Sequence, residues 1–262
     1  MVTGLKLFAE RFVELQNQYV LIGGAACYTA MSAAGVDFRA TKDLDIVLCL
    51  EEMTVEFMST FWQFVRDGGY QNQQAEMEKK QYYRFSKPSN SDFPAMLELF
   101  SRVPDQVSLA GTSRLTPIPA DDEISSLSAI LLDQDYYELI QSGRTIVSET
   151  SIVRAEYLIP LKARAWLDLT DRKKDGDQVD GKNIRKHRND VFRLFTILEG
   201  RFSGSLPRVV AQDVERFLNQ MSTESIDLKS LGITQMSVQD VLEELRRFYG
   251  SQSTSLATGE TT

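Results

Sequence analysis

Hydrophobic positions along this chain follow two different rhythms, one before and one after about residue 150. Leu5, Phe8, Phe12 and Leu15 recur every three to four residues and predict an amphipathic helix. The short apolar run Tyr19–Ile22 predicts a buried strand. Gly23 and Gly24 end it, and the small residues that follow predict a tight turn and a helix stopping at Gly35. Leu44, Ile46, Leu48 and Leu50 then alternate, which predicts a strand over 41–50. A helix is expected over 52–66, ending at Gly68 and Gly69. Strands are expected at 81–85 and 95–100, joined by a Pro/Ser/Asn-rich turn over 86–93.

Residues 104–122 lack a period and read as a connection. A helix near 125–141 and a strand at 145–147 follow. From about Ala155 the pattern is helical throughout, with further helices at 183–199, 209–221 and 238–249. Val210, Val214, Phe217, Leu218 and Met221 mark one face of the helix at 209–221, and Ser237 with Asp240 forms a capping signal for the last. The Ser/Thr-rich segment 250–262 is expected to be disordered. The order is mixed α/β over 1–150, then helical over 151–249.

Composition narrows the classes. The 262 residues carry 29 basic and 37 acidic side chains, a net charge of −8, which argues against a generally basic nucleic-acid or membrane binder. No apolar run approaches the roughly 18–20 residues of a membrane helix, and the N-terminus has no signal-peptide core, so a cytoplasmic protein is expected. Cys27 and Cys49 form no CxxC pair, and one histidine makes no zinc set. They read as buried thiols. The charge is uneven: between Arg172 and Arg193 eight basic residues stand against four acidic ones. A solvated helix face explains such a run; RNA phosphates are the sharper expectation.

Chemistry concentrates in a few residues. A glycine pair at a helix start lets backbone approach a phosphate, and helix N-terminal N–H groups favour negative charge, so Gly23 and Gly24 are candidates. Asp43 and Asp45 alternate with the apolar residues, share one face of their strand and suit Mg²⁺. Glu98 lies between Leu97 and Leu99 on another strand, which sheet pairing could bring beside them. Each has an ordinary explanation alone: a turn, a solvated strand end, a surface glutamate.

Together, in this order, these residues resemble the nucleotidyltransferase superfamily. The context LIGGAA followed by RATKDLDIVL is similar to the branch containing AbiEii-type toxins of bacterial toxin–antitoxin systems. In that branch an LxxLK-type helix carries a lysine, matched here by Lys162. A later KxxxD-like helix carries an aspartate, matched by Asp190. The resemblance covers about residues 18–198. It implies a nucleotidyltransferase-like mixed sheet flanked by helices, followed by a C-terminal helical bundle. It implies Mg²⁺ (or Mn²⁺) on Asp43, Asp45 and Glu98, with Glu98 also taking the proton of an attacking hydroxyl. NTP would be the substrate, its phosphates held by Gly23 and Gly24. Lys162 would neutralise the departing pyrophosphate, and Asp190 would face Lys162 or the nucleotide. RNA such as a tRNA end is the leading expectation for the acceptor, with a protein hydroxyl or a small molecule such as an antibiotic left open, and an antitoxin protein is the partner the resemblance implies. His187 lies on a mostly apolar helix face and reads as a core histidine. A non-catalytic binding module on the same fold and an antibiotic-type adenylyltransferase are the competing expectations.

Overall fold

The computed structural model describes residues 2–76, 81–102, 115–118 and 127–250, and at 72–76, 81–82, 115–118 and 127–131 the description covers the backbone alone. Contacts divide the chain into two compact units, Met1–Leu158 and Ile159–Thr262. No described helix is long and apolar enough to cross a membrane.

The first unit opens with α1 (Leu5–Arg11) and β1 (Tyr19–Ile22), then α2 (Gly23–Ala33), β2 (Asp43–Leu48) and α3 (Val55–Gly68). Next come β3 (Tyr70–Glu76), β4 (Gln81–Pro88), β5 (Met96–Ser101), β6 (Leu115–Ile118) and β7 (Leu127–Leu131). Helix α4 (Gln134–Ser142) and the hairpin of β8 (Arg144–Val147) and β9 (Thr150–Val153) complete the unit. Among the described residues one mixed sheet runs β3-β4-β7-β5-β2-β1-β9-β8, with β6 on β7 and a further β4–β5 pairing. Strand β2 sits inside it, antiparallel to β1 and parallel to β5.

Alternation packs one face of this sheet with apolar side chains at its centre. Leu21, Leu44, Ile46, Leu48, Leu97, Leu99 and Phe85 are completely buried. Phe57, Phe61 and Phe64 of α3 and Phe8 of α1 are buried as well, and form an aromatic cluster with Phe12, Tyr19 and Phe85. Phe8 and Phe12 stack at 4.3 Å. Burial pushes the Tyr19 hydroxyl up to about 12, so it stays neutral. Helix α3 begins where Thr54 accepts a bond from the Phe57 N–H, and ends at Gly69, whose φ of 59° a side chain would resist.

Several sequence expectations change. The helix expected through Leu15 stops at Arg11, and 13–18 tightens into 3₁₀ turns that deliver the chain to β1. Strand β4 runs to Pro88, beyond the expected turn at Ser86. The helix expected near 125–141 is a strand followed by a shorter helix: Leu127–Leu131 pairs with β4, β5 and β6, and α4 begins only at Gln134, capped by Asp133. Neighbouring strands decided this, because a short apolar run fits either state. Strands β3, β6 and β9 went unpredicted; β6 lies in the expected connection. The segment 251–262 lies outside the described residues.

The unit division falls inside α5 (Ala155–Lys174), whereas the sequence reading put the change near 150; β9 still belongs to the sheet. Pro160 lies within α5, in its second turn. The second unit continues with α6 (Gly181–Phe195), α7 (Arg208–Met221) and α8 (Val238–Tyr249). Helix α6 ends before the expected 199. Val191, Phe192, Leu194, Val210, Phe217, Met221, Val241, Leu242 and Leu245 are buried, with Trp166 edge-on to Phe217 at 5.4 Å. The Ser237–Asp240 capping box is formed.

Candidate functional site

The face of the sheet opposite the aromatic core carries the polar candidates. Register pairs share a face, so four residues from four adjacent strands line up across the sheet. They are Ile22 of β1, Asp45 of β2, Glu98 of β5 and Arg84 of β4. Asp43 is two residues from Asp45 on the same face, in register with Met96. The row arises because Leu44, Ile46, Leu97, Leu99 and Phe85 claim the core face and turn their neighbours the other way.

Helix α2 begins immediately at the edge of this row. Its first residue, Gly23, has φ +65°, and no side chain caps the helix. A Cβ on Gly23 would overlap the Asp45 carboxylate, while one on Gly24 would meet Thr41 Oγ1 at 2.6 Å. The glycine pair therefore does two things. It permits the left-handed backbone at the strand–helix junction, and it lets Asp45 and buried Thr41 pack against the first turn of α2. A carboxylate there complements the positive end of the helix dipole.

Glu98 is engaged differently. Arg84 Nε donates to its Oε1 at 2.6 Å, and Nη2 donates to the same oxygen. The Glu98 side chain is 12% exposed and that of Arg84 36%, so the pair lies at the solvent margin of the face. Asp43 and Asp45 have the hard oxygens and the shared face that Mg²⁺ or Mn²⁺ requires, and in that respect they fit a metal. Glu98 fits by position, but its carboxylate is turned to Arg84. Among the described residues no three His, Cys, Asp or Glu converge as a metal cluster.

Lys162 and Asp190, both in the second unit, meet there as a buried ion pair. Lys162 Nζ lies 3.2 Å from Asp190 Oδ2, with side chains 4% and 0% exposed, and Arg193 Nη1 stands 3.8 Å from the other carboxylate oxygen. His187 is half-buried on α6. In the basic segment, Arg172 pairs with Asp168 and Asp177, and Arg188 with Glu224, whereas Lys173, Lys174, Lys182 and Arg185 are exposed. Lys173 and Arg185 both approach Gly181, within 4 Å of where its Cβ would stand.

Sequence reasoning missed Arg84 and Thr41. Arg84 alternates with core Phe85, which places it on the polar face, but only the register with Glu98 reveals its role. A separate polar cluster joins Glu51, Tyr137 and Arg102. Burial works to raise the Glu51 carboxyl, but hydrogen bonds from its own backbone, Tyr137 and Arg102 outweigh it and hold the group below the usual range.

The site thus belongs to a mixed α/β protein with a carboxylate-bearing sheet face beside a glycine-initiated helix. No protein-family model matches the chain, and no curated protein matches it. Among solved structures it is similar to the Megavirus polyadenylate synthase, at 9% identity and a TM-score of 0.37 over 84% of this chain and 37% of that one. It is also similar to JHP933 from Helicobacter pylori, at 12% identity and a TM-score of 0.36, covering 94% and 92% of the two chains. A third similar structure is an H. pylori protein provisionally assigned as a nucleotidyltransferase, at 13% identity and a TM-score of 0.35, covering 92% and 93%. TM-scores this low leave the likenesses too loose to assign a family or an activity, and the chain spans little more than a third of the polyadenylate synthase.

Proposed function

We propose that this chain is a metal-dependent nucleotidyltransferase, moving a nucleoside monophosphate from an NTP to a hydroxyl acceptor. One observation carries the reading: Asp43, Asp45 and Glu98 share a sheet face whose row adjoins the glycine start of α2. Asp43 and Asp45 would hold Mg²⁺ or Mn²⁺, with Glu98 as the third carboxylate; the metal supplies charge neutralisation along the triphosphate. The N–H groups at the Gly23–Gly24 end of α2 bind phosphate oxygens. Glu98 accepts the proton of the acceptor hydroxyl as its oxygen attacks the α-phosphorus. The bond from that phosphorus to the bridging oxygen breaks, and pyrophosphate leaves.

RNA is the acceptor we propose, supported by the exposed lysines and arginine of the 172–193 segment. A toxin role, with tRNA ends as target and an antitoxin as partner, rests on the motif order in the sequence. For Lys162 and Asp190 we keep the nucleotide-binding role as a separate proposal, tested by calorimetric NTP binding to Lys162→Met.

The test is incubation with each labelled NTP, total RNA and protein. We expect label in the RNA fraction, and none with the Asp43→Ala/Asp45→Ala protein. Normal transfer by that variant would overturn the reading. A binding module without turnover is the second reading, favoured by Arg84's hold on Glu98. Calorimetry with Mg²⁺ and each NTP, showing binding where no transfer occurs, would select it.

A further inference from the structure

A cavity of about 640 Å³ opens in the first unit, between the start of α1, the second half of α2, the β4–β5 connection and the tip of the β8–β9 hairpin. That volume falls within the range of small-molecule sites. Its lining includes none of Gly23, Gly24, Asp43, Asp45 and Glu98, so it is a different place from the candidate site. Val2, Leu5, Ala9 and Ala33 give it apolar walls. Thr29 and Thr150 line it too, and both are buried, at 7% and 2% exposure. Each already gives its hydroxyl proton to a backbone carbonyl, Thr29 to Ala25 at 3.0 Å and Thr150 to Ser148 at 3.3 Å. Toward a ligand these hydroxyls therefore offer lone pairs. The charged residues of the lining are the carboxylates Glu10, Asp92 and Glu149 and the ammonium of Lys6. Lys6 stands 3.7 Å from Glu10 in an exposed pair, which leaves Asp92 and Glu149 as the acidic excess. The hairpin tip adds a further sign of use. Ser148 and Glu149 hold φ of 47° and 60°, left-handed values at which such a turn ordinarily takes Asn-Gly. Gln16 Nε2 donates to the Glu149 carbonyl at 2.6 Å and fixes the turn. The strained pair keeps a hydroxyl and a carboxylate at the cavity where glycine would bring neither.

We propose that this cavity binds a small organic ammonium carrying an apolar body. An ammonium donates hydrogen bonds and accepts none, which complements a lining of carboxylates and hydroxyl lone pairs. The apolar body is taken up by Val2, Leu5, Ala9 and Ala33. An anion of the same shape meets Asp92 and Glu149 with like charge and is turned away. The site stands apart from nucleotidyl transfer and does not depend on that reading. It does share an element with it, because α2 begins at Gly23 and carries Thr29 in its second half.

Two probes with one body and opposite charge test the assignment: 4-phenylbutylamine and 4-phenylbutyrate, titrated into the full chain by calorimetry. The amine should bind about tenfold or more tighter than the carboxylate, the scale of one charge-assisted contact. Methyl NMR of the same titration should place the largest shifts at Val2, Leu5, Ala9, Thr29, Ala33 and Thr150. Asp92→Asn and Glu149→Gln, both at exposed positions, should each weaken the amine several-fold and narrow the gap between the probes. Glu149→Gly separates a ligand role from a structural one. It relieves the left-handed backbone, so the melting temperature should hold or rise, while affinity for the amine falls. Ala33→Trp, at an exposed residue ending α2, should fill the cavity and abolish binding. Equal affinity for the two probes, shifts centred elsewhere, or an amine that binds Glu149→Gly and Ala33→Trp as it binds the wild type would each overturn the proposal. So would a wild-type protein that binds neither probe.

Discussion

Replacing Gly23 by alanine tests the geometry of the candidate site without assuming any activity. Two separable costs are expected. The backbone at +65° is a left-handed conformation that costs a residue with a Cβ about 1–2 kcal/mol. The new methyl group would also overlap the Asp45 carboxylate and force it away from the start of α2. Losing a charge from a helix N-terminus costs roughly 0.3–1 kcal/mol at exposed sites and up to ~2 kcal/mol in partly buried geometry. The total for Gly23→Ala is therefore about 1–4 kcal/mol, read as a lower denaturation midpoint at unchanged slope. A double-mutant cycle separates the two terms. In an Asp45→Ala background the carboxylate is gone, and the Asp45 Cβ would stand 3.2 Å from the new methyl, a gap that small shifts accommodate. The cost of Gly23→Ala should then fall to the backbone term of about 1–2 kcal/mol. If the two substitutions add to within about 0.5 kcal/mol, the carboxylate does not sit over the helix start, and the reasoning fails.

Three further outcomes follow from single contacts. Asp190→Ala should destabilise the protein by about 3–5 kcal/mol in urea titration, because it removes the buried carboxylate paired with the Lys162 ammonium; Lys162→Met/Asp190→Leu should recover most of that loss. Ser237→Ala removes the cap of α8 and should cost about 1 kcal/mol by thermal unfolding. Hydrogen bonds from the Ser237 backbone and then its hydroxyl hold the Asp240 carboxyl below its usual value, so its contribution is full above the ordinary aspartate range and is lost as pH falls through the depressed value. The stability gap between wild type and Asp240→Asn should accordingly close on acidification below about pH 4, and a gap that widens there would contradict the capping geometry.

Much of the architecture was legible where local pattern and tertiary outcome agree. The alternation of Leu44, Ile46 and Leu48 reported β2 and the side to which Asp43 and Asp45 point. Ser237 and Asp240 reported the start of α8, since a cap is made by residues three apart. The 127–131 segment was misread as helix because its strand state is imposed by β4, β5 and β6, two of them distant in sequence. Strand β3 has polar residues at four consecutive positions, Gln71, Asn72, Gln73 and Gln74, and shows no alternation to read; it exists by pairing along β4.

The candidate site divides along the same line. Residue type and spacing determined by themselves that two carboxylates share a strand face and that a glycine pair begins the next helix, because both are properties of a few consecutive residues. Only the tertiary structure decided which strand lies beside which. It set Glu98 against Asp45, Arg84 against Glu98, and the Asp45 carboxylate over Gly23. It also closed Lys162 on Asp190 within the second unit. These contacts join residues that are distant along the chain, and register between strands is settled by burying one whole apolar face at once, which no local stretch of sequence encodes.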